Sequence, residues 1–330
     1  MDALQTALFS AINGEAFDFE QLALRLFQFQ ATHNPVYKTW LKALGRNPAD
    51  IKEIDSIPFL PISLFKTHKV SSINIPESII FTSSGTTAQQ RSRHIISDQE
   101  WYKASLTQGF KRVYGSPTDY VFLALLPGYL ERTGSSLIYM VNNLIQACED
   151  PLAGFFLDAD NHLMQAINAT HLKDKKVFLW GVTFALLESA KKGQIQLKPT
   201  DIVLETGGMK GRGPELIREA LHAQLQEAFG VAQIHSEYGM TELLSQAYAV
   251  KNGRFSCPPW MKILIRNGND PFVQAADGKS GGINVIDLAN YESCAFIQTD
   301  DLGKIHADGS FEVLGRFDHS ELRGCNLMLA

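Results

Sequence analysis

The sequence predicts an α/β protein with a helical N-terminal segment and a β-rich C-terminal part. Three observations lead there. Apolar residues in the first 70 positions repeat at helical spacing, and strand-like and helix-like runs alternate between residues 78 and 255. After residue 260 only short strand-like runs separated by turn residues remain. Alternating elements build a sheet covered by helices, whereas consecutive short strands build an antiparallel layer.

The elements follow in order. Phe19, Leu22, Leu26 and Phe27 fall at i, i+3, i+7 and i+8 on one helical face. Pro35 is expected to end that helix and Gly45 a second one. Residues 78–81 read as a strand, and Ser97-Asp98-Gln99-Glu100 as a capping box opening a helix that runs to about Tyr114. Residues 120–125 form a buried strand, 135–148 a helix, and 177–180 and 202–205 two further strands. Pro214 is expected at the first position of the next helix and Gly230 just past its end. Residues 233–236 make a short strand. Residues 261–266, 282–287, 294–298, 304–306 and 311–314 complete the β-rich part. The expected divisions are 1–77, helical; 78–255, an α/β body; 256–322, a β-rich subdomain; and 323–330, a tail.

Composition narrows the class. A chain of 330 residues corresponds to about two domains. Apolar residues make up 45% and charged residues 20%, as in ordinary globular proteins. A formal net charge of −5 argues against a dedicated nucleic-acid binder, which is usually basic. Asp2, Glu15, Asp18 and Glu20 break up the N-terminus, so it does not read as a signal peptide. The longest clean apolar run, residues 120–126, is far short of the ~20 residues that span a membrane. Cys148, Cys257, Cys294 and Cys325 lie 109, 37 and 31 residues apart, which is no zinc spacing. A cytoplasmic protein with reduced thiols is the expectation.

Five segments carry residue types suited to a ligand. Thr82-Ser83-Ser84-Gly85-Thr86-Thr87 places hydroxyls around a glycine after a strand, a pattern that suits phosphate oxygens. Arg91, Arg93 and His94 follow it and could add cationic donors. Gly207-Gly208-Met209-Lys210-Gly211 follows another strand and lets a flat ligand approach the backbone. In Tyr238-Gly239-Met240-Thr241-Glu242, Tyr238 offers a stacking ring, Thr241 a hydroxyl for phosphate, and Glu242 a hard oxygen for Mg²⁺. Paired carboxylates in Gln298-Thr299-Asp300-Asp301-Leu302-Gly303 suit ribose hydroxyls. Arg316 in Gly315-Arg316-Phe317-Asp318 suits ribose or phosphate. Each segment alone also fits a plainer role: a Ser/Thr turn, a strand-to-helix loop, a helix start capped by Thr241, an Asp-rich β-turn, or a surface salt-bridge turn. His235 alone reads as a satisfied histidine of the core or its rim. In this order along an α/β chain, the five point together to a nucleotide.

In that combination the sequence resembles the adenylate-forming (acyl-AMP-forming) superfamily, over about residues 78 to 324. Residues 83–87 resemble its phosphate loop, 207–211 its adenine-contacting glycine loop, and 238–242 its Tyr-Gly-x-Thr-Glu motif. Thr299-Asp300-Asp301-Leu302 is similar to Thr-Gly-Asp-Leu, with Asp301 at the ribose-binding aspartate. Gly315-Arg316-Phe317-Asp318 with Arg323-Gly324 is similar to the hinge motif. Leu126-Pro127-Gly128-Tyr129-Leu130-Glu131, residues 134–140 and the ending Arg323-Gly324-Cys325 resemble, within that superfamily, the acyl-protein synthetases (long-chain fatty-acid–protein ligases) of bacterial luciferase fatty-acid reductase complexes.

The resemblance implies the large N-terminal domain of the adenylate-forming fold, and an AMP-forming acid–thiol ligase that uses ATP and Mg²⁺. It implies that Ser83, Ser84, Gly85, Thr86 and Thr87 meet the phosphates, that Gly207 and Gly208 flank the adenine, and that Tyr238 stacks on it. Thr241 would touch the α-phosphate, Glu242 would hold Mg²⁺, and Asp301 and Arg316 would bind the ribose. Cys325, which by itself also reads as a small buried hydrophobe, would by the resemblance accept the acyl group of a fatty or other carboxylic acid. The acyl pocket would lie among the apolar residues around 129–140, Phe178, Trp180 and the segment from Ile234, most of which read better as plain core. The phosphate loop continues Ala88-Gln89-Gln90 where typical members have Gly-x-Pro-Lys-Gly, and six residues follow Gly324. The small lysine-bearing C-terminal domain is therefore expected to be absent, with Arg91, Arg93 or Lys210 supplying positive charge. Two alternatives stand beside this reading: transfer of the acyl group to CoA or a carrier protein, and a non-catalytic nucleotide- or acyl-binding subunit.

Overall fold

Residues 2–73, 79–83, 91–127, 134–207, 216–268 and 270–317 are described by the computed structural model. The N-terminal segment folds into α1 (Ala3–Ile12), α2 (Phe19–His33) and α3 (Pro35–Ala43). Asp2 and Asp18 cap the first two by accepting backbone N–H bonds. Pro35 ends α2 as expected, but it also opens α3, where its fixed φ and missing N–H cost nothing. Asn34 closes one helix and caps the next, accepting from Val36 N and Tyr37 N at 3.1 Å each. The short strand β1 (Leu60–Pro61) and helix α4 (Leu64–Thr67) complete this segment.

An antiparallel pair follows, β2 (Ile79–Thr82) with β3 (Arg93–Ile96). Helix α5 (Gln99–Tyr114) comes next. Its cap is Asp98, which accepts from Trp101 N at 3.1 Å, and not Ser97 as the capping-box pattern suggests. Ser97 is drawn away by Glu292, whose carboxylate accepts from the Ser97 amide at 2.8 Å and from its hydroxyl. A distant partner outcompetes the local cap.

The α/β body then runs β4 (Tyr120–Leu125), α6 (Ser136–Ala147), β5 (Gly154–Phe156), α7 (Asn161–Leu172), β6 (Lys176–Val182), α8 (Thr183–Lys192), β7 (Ile202–Thr206), α9 (Arg218–Phe229), β8 (Ile234–Tyr238) and β9 (Ala247–Ala249). The strand order is β5-β4-β6-β7-β8-β9, parallel except for the antiparallel edge strand β9. Helix α9 begins at Arg218; Pro214, expected at the first position of this helix, lies outside the described residues. Gly230 closes that helix in the left-handed conformation, φ 74°, as expected. β4 and β6 are buried almost throughout, as strands covered on both faces are. Phe110 of α5 packs on Phe122 and Phe178, with ring centroids 5.4 and 5.5 Å away. Phe178 and Trp180, which read as acyl-pocket or plain core residues, are fully buried core of β6.

The C-terminal sheet contains β10 (Met261–Arg266), β11 (Gly281–Asp287), β12 (Phe296–Ile305) and β13 (Phe311–Arg316). Here the sequence reading needs its largest correction. Residues 298–303, expected as a loop between two strands, are the middle of the ten-residue strand β12. Gly315 and Arg316, also expected in a turn, end β13. Polar residues in β12 looked like a turn because Asp-rich runs favour turns, and here pairing along both edges holds the run extended. One edge of β12 pairs with β11, and the other is shared by β1 and β13. The N-terminal segment thus donates a strand to the C-terminal sheet. Among the described residues, no helix is long and apolar enough to cross a membrane.

Asp287 joins the two sheets. It ends β11 fully buried and accepts from Leu244 N (2.9 Å), Ser245 N (3.0 Å), Ser245 Oγ (2.6 Å) and Ala289 N (3.1 Å). Asp287→Ala strands three buried backbone donors and is expected to cost about 3 kcal/mol or more. Urea denaturation followed by far-UV circular dichroism checks this, and an unchanged midpoint would contradict the assigned role.

Candidate active site

The carboxyl ends of β7 and β8 open toward the C-terminal sheet, the edge at which open α/β sheets receive ligands. β7 leads into Gly207, whose φ of 83° only glycine adopts easily. Thr206 Oγ1 donates to Glu237 Oε2 at 2.5 Å, fixing the ends of β7 and β8 to each other. β8 ends in Tyr238, and the next residues form a turn and an irregular segment leading to β9. Thr241 therefore starts no helix, which removes the N-cap alternative for the Tyr-Gly-Met-Thr-Glu motif. Gly239 is needed where it stands, because a Cβ there would lie 2.3 Å from Glu237 Oε1.

Tyr238, Asp301 and Arg316 form one constellation. Tyr238 Oη donates to Asp301 Oδ2 at 2.8 Å, and Arg316 Nε donates to Asp301 Oδ1 at 3.0 Å. Asp301 sits directly opposite Arg316 in the β12–β13 ladder. Burial, with the Asp301 carboxylate beside it, pushes the Tyr238 phenol well above its usual range, so it stays a donor. Asp300 belongs to the same strand but points to the opposite face, since successive side chains alternate. The two carboxylates expected to act as a pair are thereby separated, and Asp301 alone faces Tyr238. Arg316 is mostly exposed at the side chain, so it reaches solvent from this pair.

A second group gathers around Glu242 and Thr241. Glu242 is buried, which pushes its carboxyl up, and Ser92 hydrogen-bonds it. Ser83 donates its N–H to Ser92 O at 3.1 Å and accepts from Ser92 N at its hydroxyl at 3.0 Å. The neck of the Ser/Thr/Gly loop is thus closed, and it is tied to Glu242 through Ser92. Asn290 Nδ2 donates to Glu242 O at 2.8 Å.

His94 fixes the other side of the turn. Its Nδ1–H donates to Thr241 O at 2.8 Å, and Nε2 accepts from Ser293 Oγ at 2.9 Å. Complete burial lowers its pKa from 6.5 to about 4. It is a neutral positioning imidazole and not the cationic phosphate donor that its place beside Arg91 and Arg93 suggested. Those two arginines are exposed. His235 is also held low, to about 4, chiefly by burial, and stacks on Tyr114 with centroids 5.6 Å apart. It is a satisfied histidine at the core rim.

Ser83, Gly207, Tyr238, Thr241, Glu242, Asp301 and Arg316 are thus described; Tyr238 joins Asp301 and Arg316 across the two large sheets, and Ser83 is tied to Glu242 through Ser92. Ser84, Gly85, Thr86, Thr87, Gly208, Lys210, the segment 128–133, Asp318, Arg323, Gly324 and Cys325 lie outside the described residues. Sequence reasoning missed Ser92, Arg266, Asp287, Asn290 and Ser293. Two of these carried a signal: a single arginine ends the run Met-Lys-Ile-Leu-Ile-Arg, and a single aspartate ends the apolar strand β11. Cys148, Cys257 and Cys294 are free thiols.

Residues 18–330 match the acyl-protein synthetase family LuxE. The chain belongs to that family. As an acyl-protein synthetase it is a ligase, joining ATP-dependent activation of an acid to acyl transfer to protein. The long-chain-fatty-acid–luciferin-component ligase of Aliivibrio fischeri is 24% identical over 343 residues, covering 94% of this chain and 87% of that one. An open conformation of 2-hydroxyisobutyryl-CoA ligase, in complex with 2-HIB-AMP and CoA, superposes with a TM-score of 0.67 at 13% identity. It covers 91% of this chain and 70% of that one. ATP-bound MatB from Rhodopseudomonas palustris superposes with a TM-score of 0.53 at 17% identity, covering 72% of this chain and 47% of that one. At these identities the two structures establish the fold, the adenylate-forming ligase architecture.

The His94 environment gives this acyl-protein synthetase a pH-dependent stability. Unfolded, the imidazole takes its proton near 6.5; folded, only near 4. Between those values the unfolded state binds more protons, so stability is full above about pH 6.5 and falls as the pH drops toward 4. The loss amounts to about 3 kcal/mol for a shift of this size. Chemical denaturation across that window is expected to show it, and His94→Gln to shrink the slope while the His235 contribution remains. A slope unchanged by His94→Gln would refute the assignment.

Proposed function

We propose that this chain forms an acyl-AMP from a carboxylic acid and ATP at the carboxyl edge of the parallel sheet, then passes the acyl group to a protein thiol. The observation that carries the reading is the joining of Tyr238, Asp301 and Arg316 with the Thr241–Glu242 turn at one edge of a family chain. A carboxylate oxygen attacks the α-phosphorus, and pyrophosphate leaves in line. Catalysis of this step is mainly positioning and charge stabilisation.

The chain's own residues take these parts in the proposal. Asp301, held by Tyr238 and Arg316, accepts the ribose hydroxyls. Tyr238 presents its ring, and Gly207 with Gly208 lines the adenine. Ser83, Ser84, Gly85, Thr86 and Thr87 donate to the phosphates, and Thr241 donates to the α-phosphate. Glu242 fits Mg²⁺ in the usual way, as one hard carboxylate completed by nucleotide phosphates and waters. The described residues hold no cluster of three acidic, histidine or cysteine ligands, so a cation bound without nucleotide is not expected there. When bound, Mg²⁺ would neutralise charge on the phosphates.

The acid is proposed to be a fatty acid, supported by the activity in the name of the Aliivibrio fischeri relative. The thiol is proposed to be Cys325, in the ending Arg323-Gly324-Cys325 within the span matched to the family. Its thiolate attacks the acyl-AMP carbonyl and expels AMP, leaving a thioester.

Exchange of labelled pyrophosphate into ATP, run with carboxylic acids of graded chain length, tests the first half-reaction. Acid-dependent exchange that peaks with fatty acids is expected. ATP binding without exchange for any acid would make the chain a non-catalytic binding subunit instead. The second half-reaction is read from labelled fatty acid and ATP. Wild type is expected to carry hydroxylamine-sensitive label and Cys325→Ser to lack it. Equal label on both proteins would rule Cys325 out, and acyl release only on adding CoA or a carrier would name that acceptor.

A further inference from the structure

Arg266, the last residue of β10, is 5% exposed. Burying a guanidinium is costly unless its N–H groups are satisfied. Here Nη1 donates to Ile283 O at 2.7 Å and to Asn284 Oδ1 at 3.0 Å, and Nη2 donates to Thr299 O at 2.7 Å. The guanidinium carbon also lies 5.3 Å from the centroid of the Phe317 ring, a stacking contact that suits arginine better than lysine.

The facing strand is shaped to admit it. Gly282 sits opposite Arg266 in the β10–β11 ladder, and a Cβ there would lie 2.2 Å from the guanidinium carbon. A Cβ on Gly281 would lie 2.1 Å from the Arg266 carbonyl oxygen. Two adjacent glycines therefore leave the room that the arginine fills.

What Arg266 touches is informative. Thr299 stands two residues before Asp301, and its hydroxyl accepts from Asp301 N at 3.1 Å while donating to Ile283 O at 2.9 Å. Phe317 stands one residue after Arg316, and its N–H donates to Asp300 O at 2.8 Å. Arg266 thus grips the backbone ahead of Asp301 in β12 and the side chain just beyond Arg316 in β13. It touches neither Asp301 nor Arg316 through any of these bonds, yet it braces the strands on both sides of that pair.

We infer that Arg266 is a positioning residue for nucleotide binding, setting the Asp301 carboxylate and Arg316 where ribose hydroxyls meet them. The inference rests on the reading of Asp301 as the ribose acceptor. It adds that the discrimination of ATP from nucleotides lacking ribose hydroxyls is set from beneath the sheet, by a residue the nucleotide does not contact.

Dissociation constants for ATP and 2′,3′-dideoxy-ATP, measured on wild type, Arg266→Met, Asp301→Ala and the double variant, test it. Each single change is expected to weaken ATP by about tenfold, as loss of a charge-assisted hydrogen bond does. Because Arg266 acts through Asp301, the double variant is expected to bind ATP no more weakly than Asp301→Ala. The wild-type preference for ATP over the dideoxy nucleotide is expected to collapse in all three variants. Arg266→Lys, which keeps the charge but loses the fork, and Gly282→Ala, which crowds the guanidinium from β11, are expected to behave alike. They carry the comparison if Arg266→Met does not fold. Additive losses with an unchanged preference would reduce Arg266 to a structural pin and leave the ribose reading standing. Asp301→Ala binding both nucleotides as wild type does would overturn the ribose reading and this inference together.

Discussion

One buried carboxyl holds the segment after β8 against the C-terminal sheet. The segment after β8 has little regular structure of its own, yet it carries Thr241 and Glu242. Asp287, at the end of a strand in the other sheet, takes the amides of Leu244 and Ser245 and the Ser245 hydroxyl. Because Asp287 is fully buried, these donors cannot leave the carboxyl without a large penalty. His94 and Asn290 then hold the carbonyls of Thr241 and Glu242 from two further directions. The turn is rigid because its neighbours satisfy it, not because its own sequence prefers that shape.

This arrangement divides the work between the sheets. The parallel sheet supplies an edge at which glycine and tyrosine backbones stop short, leaving an approach for a flat ligand. The antiparallel sheet supplies the Asp301–Arg316 pair, placed by ladder register and braced by Arg266. Groups suited to touching a nucleotide are few, and those that hold them are more numerous and further inside. Such support fixes a carboxylate within a fraction of an ångström, which loops alone rarely do.

The sequence was legible where physics is local. Pro35 at the end of α2, the apolar runs of β4 and β10, Gly230 at the end of α9 and the motif from Tyr238 to Glu242 could all be read from a few adjacent residues. It was misleading where a remote partner decides. Gln298-Thr299-Asp300-Asp301 reads as a turn, but β11, β1 and β13 hold it extended, and Ser97 gives up its helix to Glu292. Helices α7 and α8 and strands β5 and β9 went unnoticed, since short runs with mixed patterns carry little period. His94 was read as a cation because it neighbours arginines, and only its burial shows otherwise. Arg266 drew no attention, since the glycines that admit it lie about fifteen residues downstream on another strand.

The edge of β12 shared by β1 and β13 has a consequence in time. Leu60 pairs with Ile297 while Phe311 pairs with Ile305, so adjoining stretches of one strand edge are filled by a strand from the distant N-terminal segment and by the neighbouring strand of a tight hairpin. The first contact closes a very large loop, and such contacts form late. The helix-covered parallel sheet and the β10–β13 hairpins are built from nearer neighbours and can assemble first. A chain emerging from the ribosome would therefore complete its parallel sheet and the Asp301–Arg316 hairpin before β1 reaches β12. Closure of the C-terminal sheet would arrive as a final act of folding, when β1 docks across a span of more than two hundred residues.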